Sequence, residues 1–148
     1  MTRDELTHQI LAAKRAKRLS WRTIAAEIGG GSALYLTAAL MGQMKLRPEQ
    51  PERAAKLLDL GEEETTLLQE IPCRGSLPTA VPTDPLIYRF YELVQVYGTT
   101  WKELIQEEFG DGIMSAIDFD IAIERQPDRK GDRVKLTLSG KFLPYKEY

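Results

Sequence analysis

VPTDPLIYRFYELVQVYGTTWKELIQEEFGDGIMSAIDF, residues Val81 to Phe119, carries more structural punctuation than any other part of the chain. Its first half predicts a helix with firm ends. Asp84 is a good N-cap, and Pro85 suits the first helical position, where a missing N–H costs nothing. Gly98 supplies the left-handed residue that commonly closes a helix. Between these ends Leu86, Phe90, Leu93, Val94 and Tyr97 form one stripe, and Ile87, Tyr91 and Val96 cover much of the rest. What is left is a narrow polar line of Arg89, Glu92 and Gln95, with Tyr88 beside it. A helix that is apolar nearly all round is normally buried, and buried Arg and Glu are rare unless paired. The line is therefore expected to face a partner charge or a polar cavity.

Arg89 and Glu92 lie about 60° apart around such a helix and can touch. Two readings stay open on spacing alone. One is a plain i, i+3 ion pair at an interface, a common feature worth only ~0.2–0.5 kcal/mol when exposed. The other is an anion site, with Arg89 as a permanently charged fork and Glu92 fixing its orientation.

The second half of the stretch predicts another helix. Thr100 and Glu103 form a capping-box pattern, and Gly110 closes the helix after Phe109. Gly110-Asp111-Gly112 then makes a tight turn that puts Ser115 just before a strand. Ile117, Phe119, Ile121 and Ile123 alternate with Asp118, Asp120, Ala122 and Glu124, and Val134, Leu136 and Leu138 alternate beyond a polar loop, Arg125 to Arg133. This is a β-hairpin pattern. Two strands alone are marginal in water, and two mostly apolar helices with one hairpin make a thin core. The segment is expected to complete itself by pairing with another copy.

Upstream, Pro72 to Pro85 holds prolines at 72, 78, 82 and 85 and a glycine at 75, which reads as a linker. Before it come five expected helices. Asp4–Lys17 turns Leu6, Ile10, Leu11 and Ala13 inward. Ser20 caps a second helix carrying Trp21, Ile24, Ala25 and Ile28; Gly29-Gly30-Gly31 breaks it. Ser32 caps a third through Leu34, Leu36, Leu40 and Met41. A fourth runs Glu52–Leu60 and ends at Gly61. Glu62-Glu63-Glu64 opens a fifth, as acidic residues suit a helix N-terminus, with Leu67, Leu68 and Ile71 inward. The fold class is α+β, with a helical domain at 1–74 and a helix–helix–hairpin domain at 75–148.

Two short helices around a glycine turn have the outline of a helix-turn-helix. Lys14, Arg15, Lys17, Arg18 and Arg22 could serve as phosphate contacts, so a DNA-binding regulator is the rival reading. The third helix argues against it. Ser32 to Met41 offers no Arg, Lys, Asn or Gln to reach base edges.

Composition excludes more than it selects. The formal charge of −2 gives no general pull towards nucleic acid or anionic membrane. No apolar run approaches the ~20 residues of a membrane span, and Met1–Glu5 lacks a signal-like apolar core, so the expected location is cytoplasmic. One cysteine, Cys73, reads as a small buried thiol. With a single histidine, His8, it leaves no cluster of soft metal ligands. No phosphate-binding glycine pattern is present.

The run Pro82-Thr83-Asp84-Pro85, Tyr88-Arg89-Phe90-Tyr91-Glu92, Gln95-Val96-Tyr97-Gly98-Thr99-Thr100 and Phe109-Gly110-Asp111-Gly112-Ile113-Met114-Ser115-Ala116-Ile117 resembles the cyanase (cyanate hydratase, or cyanate lyase) family. The likeness continues in Gly140-Lys141-Phe142-Leu143-Pro144 and, more loosely, through the N-terminal half. It implies that Arg89, Glu92 and Ser115 are the catalytic residues. It implies a bicarbonate-dependent decomposition of cyanate to ammonia and carbon dioxide through carbamate, with bicarbonate as co-substrate and no cofactor. It also implies interlocked C-terminal dimers, five of them in a decameric ring with active sites between subunits, and a repressor-like N-terminal domain not used on DNA.

Small anions offer almost no apolar surface, so an enzyme for them must bind by charge and hydrogen bonds. Arg89 does not give up its proton at neutral pH, which suits a clamp and not a general acid. Ser115 suits hydrogen-bond donation; a nucleophilic serine needs a nearby base, and the family's reaction needs no acyl-enzyme. Glu92 suits orientation of Arg89, with proton handling as the other option.

Overall fold

A computed structural model describes residues 1–148, which divide into two units, Met1–Ser76 and Leu77–Tyr148. The first holds five helices: α1 Arg3–Ala16, α2 Trp21–Ile28, α3 Ala33–Leu40, α4 Pro51–Leu58 and α5 Glu62–Leu67. Local capping explains their starts. Thr2 and Glu5 form a reciprocal capping box on α1, Ser20 Oγ accepts from Thr23 N, and Ser32 Oγ accepts from Tyr35 N. Each satisfies donors that a helix N-terminus leaves free.

These helices bury one core: Leu6, Ile10, Ile24, Ile28, Leu36, Leu40, Leu46, Leu58 and Leu68 with smaller alanines between them. The glycine turn after α2 is tied down from α4's side. Gln50, fully buried, donates from Nε2 to Gly29 O at 2.9 Å and accepts from Arg47 N at 2.8 Å. Arg53 Nη1 donates to Ile28 O at 2.9 Å and Arg47 Nη1 to Gly30 O at 2.8 Å. A buried amide is tolerated because both its ends are bonded.

Several boundaries differ from the sequence reading. Helix α4 ends at Leu58, since Asp59 takes the left-handed conformation at φ 55°; Gly61 instead opens α5. Ile71 lies beyond α5 and is 77% exposed, so it is not part of the core. Cys73 is exposed, not buried, because it sits in the irregular segment after α5.

The second unit is one helix and one antiparallel hairpin: α6 Pro85–Phe109, β1 Gly112–Gln126 and β2 Arg133–Pro144. The α+β class stands, but the expected pair of helices is a single one. Asp84 Oδ1 accepts from Leu86 N at 2.9 Å and Ile87 N at 3.0 Å, starting α6 as expected. Gly98 does not stop it. The residue keeps a negative φ, and an interior glycine costs a helix only ~1 kcal/mol relative to alanine. The real stop is Gly110, at φ 90°.

The hairpin is longer than the apolar alternation suggested. Ile121 faces Leu138 and Ile123 faces Leu136, while at the far end Ile113 faces Leu143 and Gly112 faces Pro144. Its loop is braced by Arg125–Asp132 at 3.0 Å and Arg133–Asp128 at 3.2 Å. Phe109 stacks on Phe142 with centroids 5.2 Å apart, joining the end of α6 to β2. Along the rest of its length α6 does not pack on the hairpin.

Candidate functional site

The apolar arc of α6 is uncovered. Leu86 is 69% exposed, Val94 55% and Leu104 59%, and no residue of α6 is buried. The unit has too few elements to cover this helix, in line with the thin core expected from the sequence.

On the polar side, Arg89 Nη1 donates to Glu92 Oε2 at 2.8 Å, the i, i+3 contact the spacing allows. Arg89 also lies over the Tyr88 ring, 5.5 Å from its centroid, and Tyr88 in turn neighbours Tyr91 at 5.8 Å. The guanidinium is thus held from two sides while its outer N–H groups remain open. Both side chains reach solvent in the single chain, so the ion pair is screened there.

Ser115 is placed by a different device. It lies inside β1, not ahead of it. Between Met114, which faces Phe142, and Phe119, which faces Gly140, β1 has the four residues Ser115–Asp118 where β2 has only Lys141. The surplus forms a bulge, a feature that re-aims side chains at functional edges. Ser115 Oγ accepts from Ile117 N at 3.0 Å and Asp118 N at 2.9 Å. A hydroxyl has two acceptor lone pairs and one donor. Both lone pairs are used inside the bulge, and the O–H has no acceptor within the chain. Ser115 is 5% exposed.

The single chain thus brings Arg89 and Glu92 together, while Ser115 bonds only to its own bulge. The cavity of 540 Å³ in the first unit is lined by Glu52, Leu60, Glu62 and Gln69 among others. No group of three His, Cys, Asp or Glu side chains is arranged to hold a metal ion, and no helix is long and apolar enough to cross a membrane. The sequence reading missed the Tyr88 ring beneath Arg89 and the bulge around Ser115. A glycine inside a strand, here Gly140, is the signal that could have pointed to the bulge.

Residues 79–147 match the family model of the cyanate lyase C-terminal domain, and residues 3–72 match that of the cyanate hydratase N-terminal region. The chain is 60% identical over 148 residues, the whole of both chains, to the cyanate hydratase of Dechloromonas aromatica (strain RCB). It is equally 60% identical, again end to end, to that of Ralstonia pickettii (strain 12J). Among solved structures, cyanase from T. urticae superposes with a TM-score of 0.80 at 38% identity, covering 95% of this chain and 97% of the other. With both halves matched by the same family's models and relatives aligned from end to end, the chain belongs to the cyanate hydratase (cyanase) family.

Proposed function

We propose that this chain is a cyanate hydratase, an enzyme that uses bicarbonate to convert cyanate into ammonia and carbon dioxide. The geometric observation that carries the reading is the Ser115 hydroxyl, whose acceptor positions are filled so that it can only donate. A donor-only hydroxyl and an oriented guanidinium are what a site for small anions needs.

The difficulty in the reaction is charge. A bicarbonate oxygen attacks the carbon of cyanate, and two monoanions become one dianionic mixed anhydride. Repulsion between two such charges at 4 Å is about 1 kcal/mol in water and about 4 kcal/mol at the effective dielectric near a protein surface. Arg89 offsets it, with Glu92 and the Tyr88 ring holding the fork in place. Ser115 donates to an anion oxygen, and such preorganised donors act most strongly where charge develops. The anhydride takes up one proton and loses CO2 to leave carbamate. Carbamate takes up a second proton and breaks into ammonia and CO2, so atoms and charge balance.

The uncovered arc of α6 supports assembly, since large exposed apolar patches mark association sites. We read the assembly as a decamer, a pentamer of dimers, with active sites at subunit interfaces where several Arg89 side chains can surround one dianion. In this reading 75–148 is the catalytic and oligomerisation domain and 1–74 a repressor-like helical domain, in a cytoplasmic enzyme that needs no cofactor. The α2–turn–α3 unit serves packing, not DNA: Leu36, Ala39 and Leu40 of α3 are buried in the core.

Ammonia release from cyanate, measured with and without bicarbonate, tests the activity. Arg89→Lys then tests the site. A point charge does not reproduce a planar fork, and losing one preorganised donor typically costs ~10²–10³ in rate. The expected result is bicarbonate-dependent turnover in the parent protein and an assembled, severely slowed variant. Full turnover in Arg89→Lys and in Arg89→Met/Glu92→Gln would return the pair to a structural role.

A further inference from the structure

We propose that Gly140 is a positioning residue for Ser115, acting through the bulge. The inference rests on the reading of Ser115 as an anion-binding hydroxyl. Gly140 faces Phe119 at the point where the register resumes after the surplus residues of β1. Its φ lies outside the left-handed region, so backbone freedom is not what the position requires. Space is. A Cβ built on Gly140 would run into the carbonyl oxygen of Ser115 and the Met114 side chain.

The two obstacles differ in kind. The Met114 side chain is flexible and can swing away. The Ser115 carbonyl is backbone, in the same residue whose hydroxyl is locked by Ile117 N and Asp118 N. A methyl group at 140 therefore has to displace the bulge itself, and the Ser115 hydroxyl moves with it. Misplacement of a catalytic group by about 1 Å can cost ~10²-fold in rate. Gly140 touches no substrate in this scheme; its effect passes entirely through Ser115.

That route makes a specific demand on a double-mutant cycle. Ser115→Ala, Gly140→Ala and the double variant are purified, their masses checked by light scattering, and kcat and KM measured for cyanate at saturating bicarbonate. Gly140→Ala is expected to assemble and to lose ~10²-fold in turnover, in the same kinetic parameter that Ser115→Ala affects. In the Ser115→Ala background the same substitution is expected to change turnover by about twofold or less, since residues that act as one unit are not additive. If Gly140→Ala fails to assemble, the Met114→Ala/Gly140→Ala pair removes the side-chain obstacle and leaves the backbone one. That pair is expected to assemble and stay slow.

Full loss on top of Ser115→Ala would overturn the inference, as would near-normal turnover in Gly140→Ala or in the Met114→Ala pair. Failure of both Gly140 variants to assemble would overturn it too, by making the glycine a requirement of the fold. Unchanged activity in Ser115→Ala is a separate failure: it removes the reading of Ser115 on which the inference rests.

Discussion

The two units of this chain bury their apolar side chains in opposite ways. Every buried Leu, Ile and Ala lies between Leu6 and Leu68, while in Leu77–Tyr148 only Pro82 and Ser115 are buried. Exposure runs the other way. The exposed large apolar residues of the first unit are Met1, Met44 and Ile71; all the others, from Leu77 to Tyr148, belong to the second. The first unit is a small helical domain with its own core. The second is a 25-residue helix and a hairpin whose core is missing from the single chain. A two-stranded hairpin is marginal alone, and most helical stability comes from packing an apolar face. Obligate interfaces resemble a domain core cut in half, and the apolar arc of α6 has that character. The catalytic candidates lie in the unit that lacks a core of its own, so assembly and activity are expected to fail together.

The largest effect of a single substitution is expected on α6. Leu104→Glu puts a charge into the uncovered arc, well along the helix from Arg89 and Glu92. It should collapse the assembled mass towards that of a single chain and abolish ammonia release, with the helical signal of the first unit retained. An assembled, active Leu104→Glu enzyme would show that the arc is not an interface.

The first unit should respond in its own stability. Leu36→Ala removes a fully buried side chain and is expected to cost ~2–5 kcal/mol, read from denaturant unfolding of residues 1–76. That fragment should unfold cooperatively as a monomer; a fragment that is unfolded in buffer would deny it an independent core.

Smaller still is the loss of a cap. In Ser20→Ala the Thr23 amide loses its acceptor, at a cost of about 1 kcal/mol, with the assembled mass and turnover of the full chain unchanged.

The smallest effect is one of pH. A hydrogen bond from the Met1 ammonium to Glu63, 2.6 Å long, together with the Glu63 charge, raises the amine's pKa above its ordinary value. A raised amine stabilises the fold below its unfolded pKa of about 8, and that contribution disappears as pH rises through the folded value. The difference in Tm between the parent protein and Glu63→Gln should therefore shrink between pH 7 and pH 10. A constant difference would mean that the contact contributes through something other than charge.

Features written over a few neighbouring residues were legible. Asp84 and Pro85 start α6, Ser20 and Ser32 cap their helices, and the i, i+3 spacing of Arg89 and Glu92 leads to a bonded pair, since each depends only on contacts within a turn or two. Gln50 was not legible, because its value comes from Gly29, 21 residues away in sequence.

The residues alone were enough for the family, the helical first unit, the hairpin and the thinness of the second unit's core. These follow from periodicity, capping and a long run of unusual residues, all local or additive along the chain. The folded chain was needed to see that Gly98 continues a helix and does not end one, because the glycine's cost is small against the intact hydrogen-bond ladder of α6. It alone decided that Ser115 sits in a bulge with its acceptors filled, and that Gly140 leaves no room for a side chain. Those facts depend on which residues of β1 and β2 face each other, and strand register is a property of two segments together, not of either one.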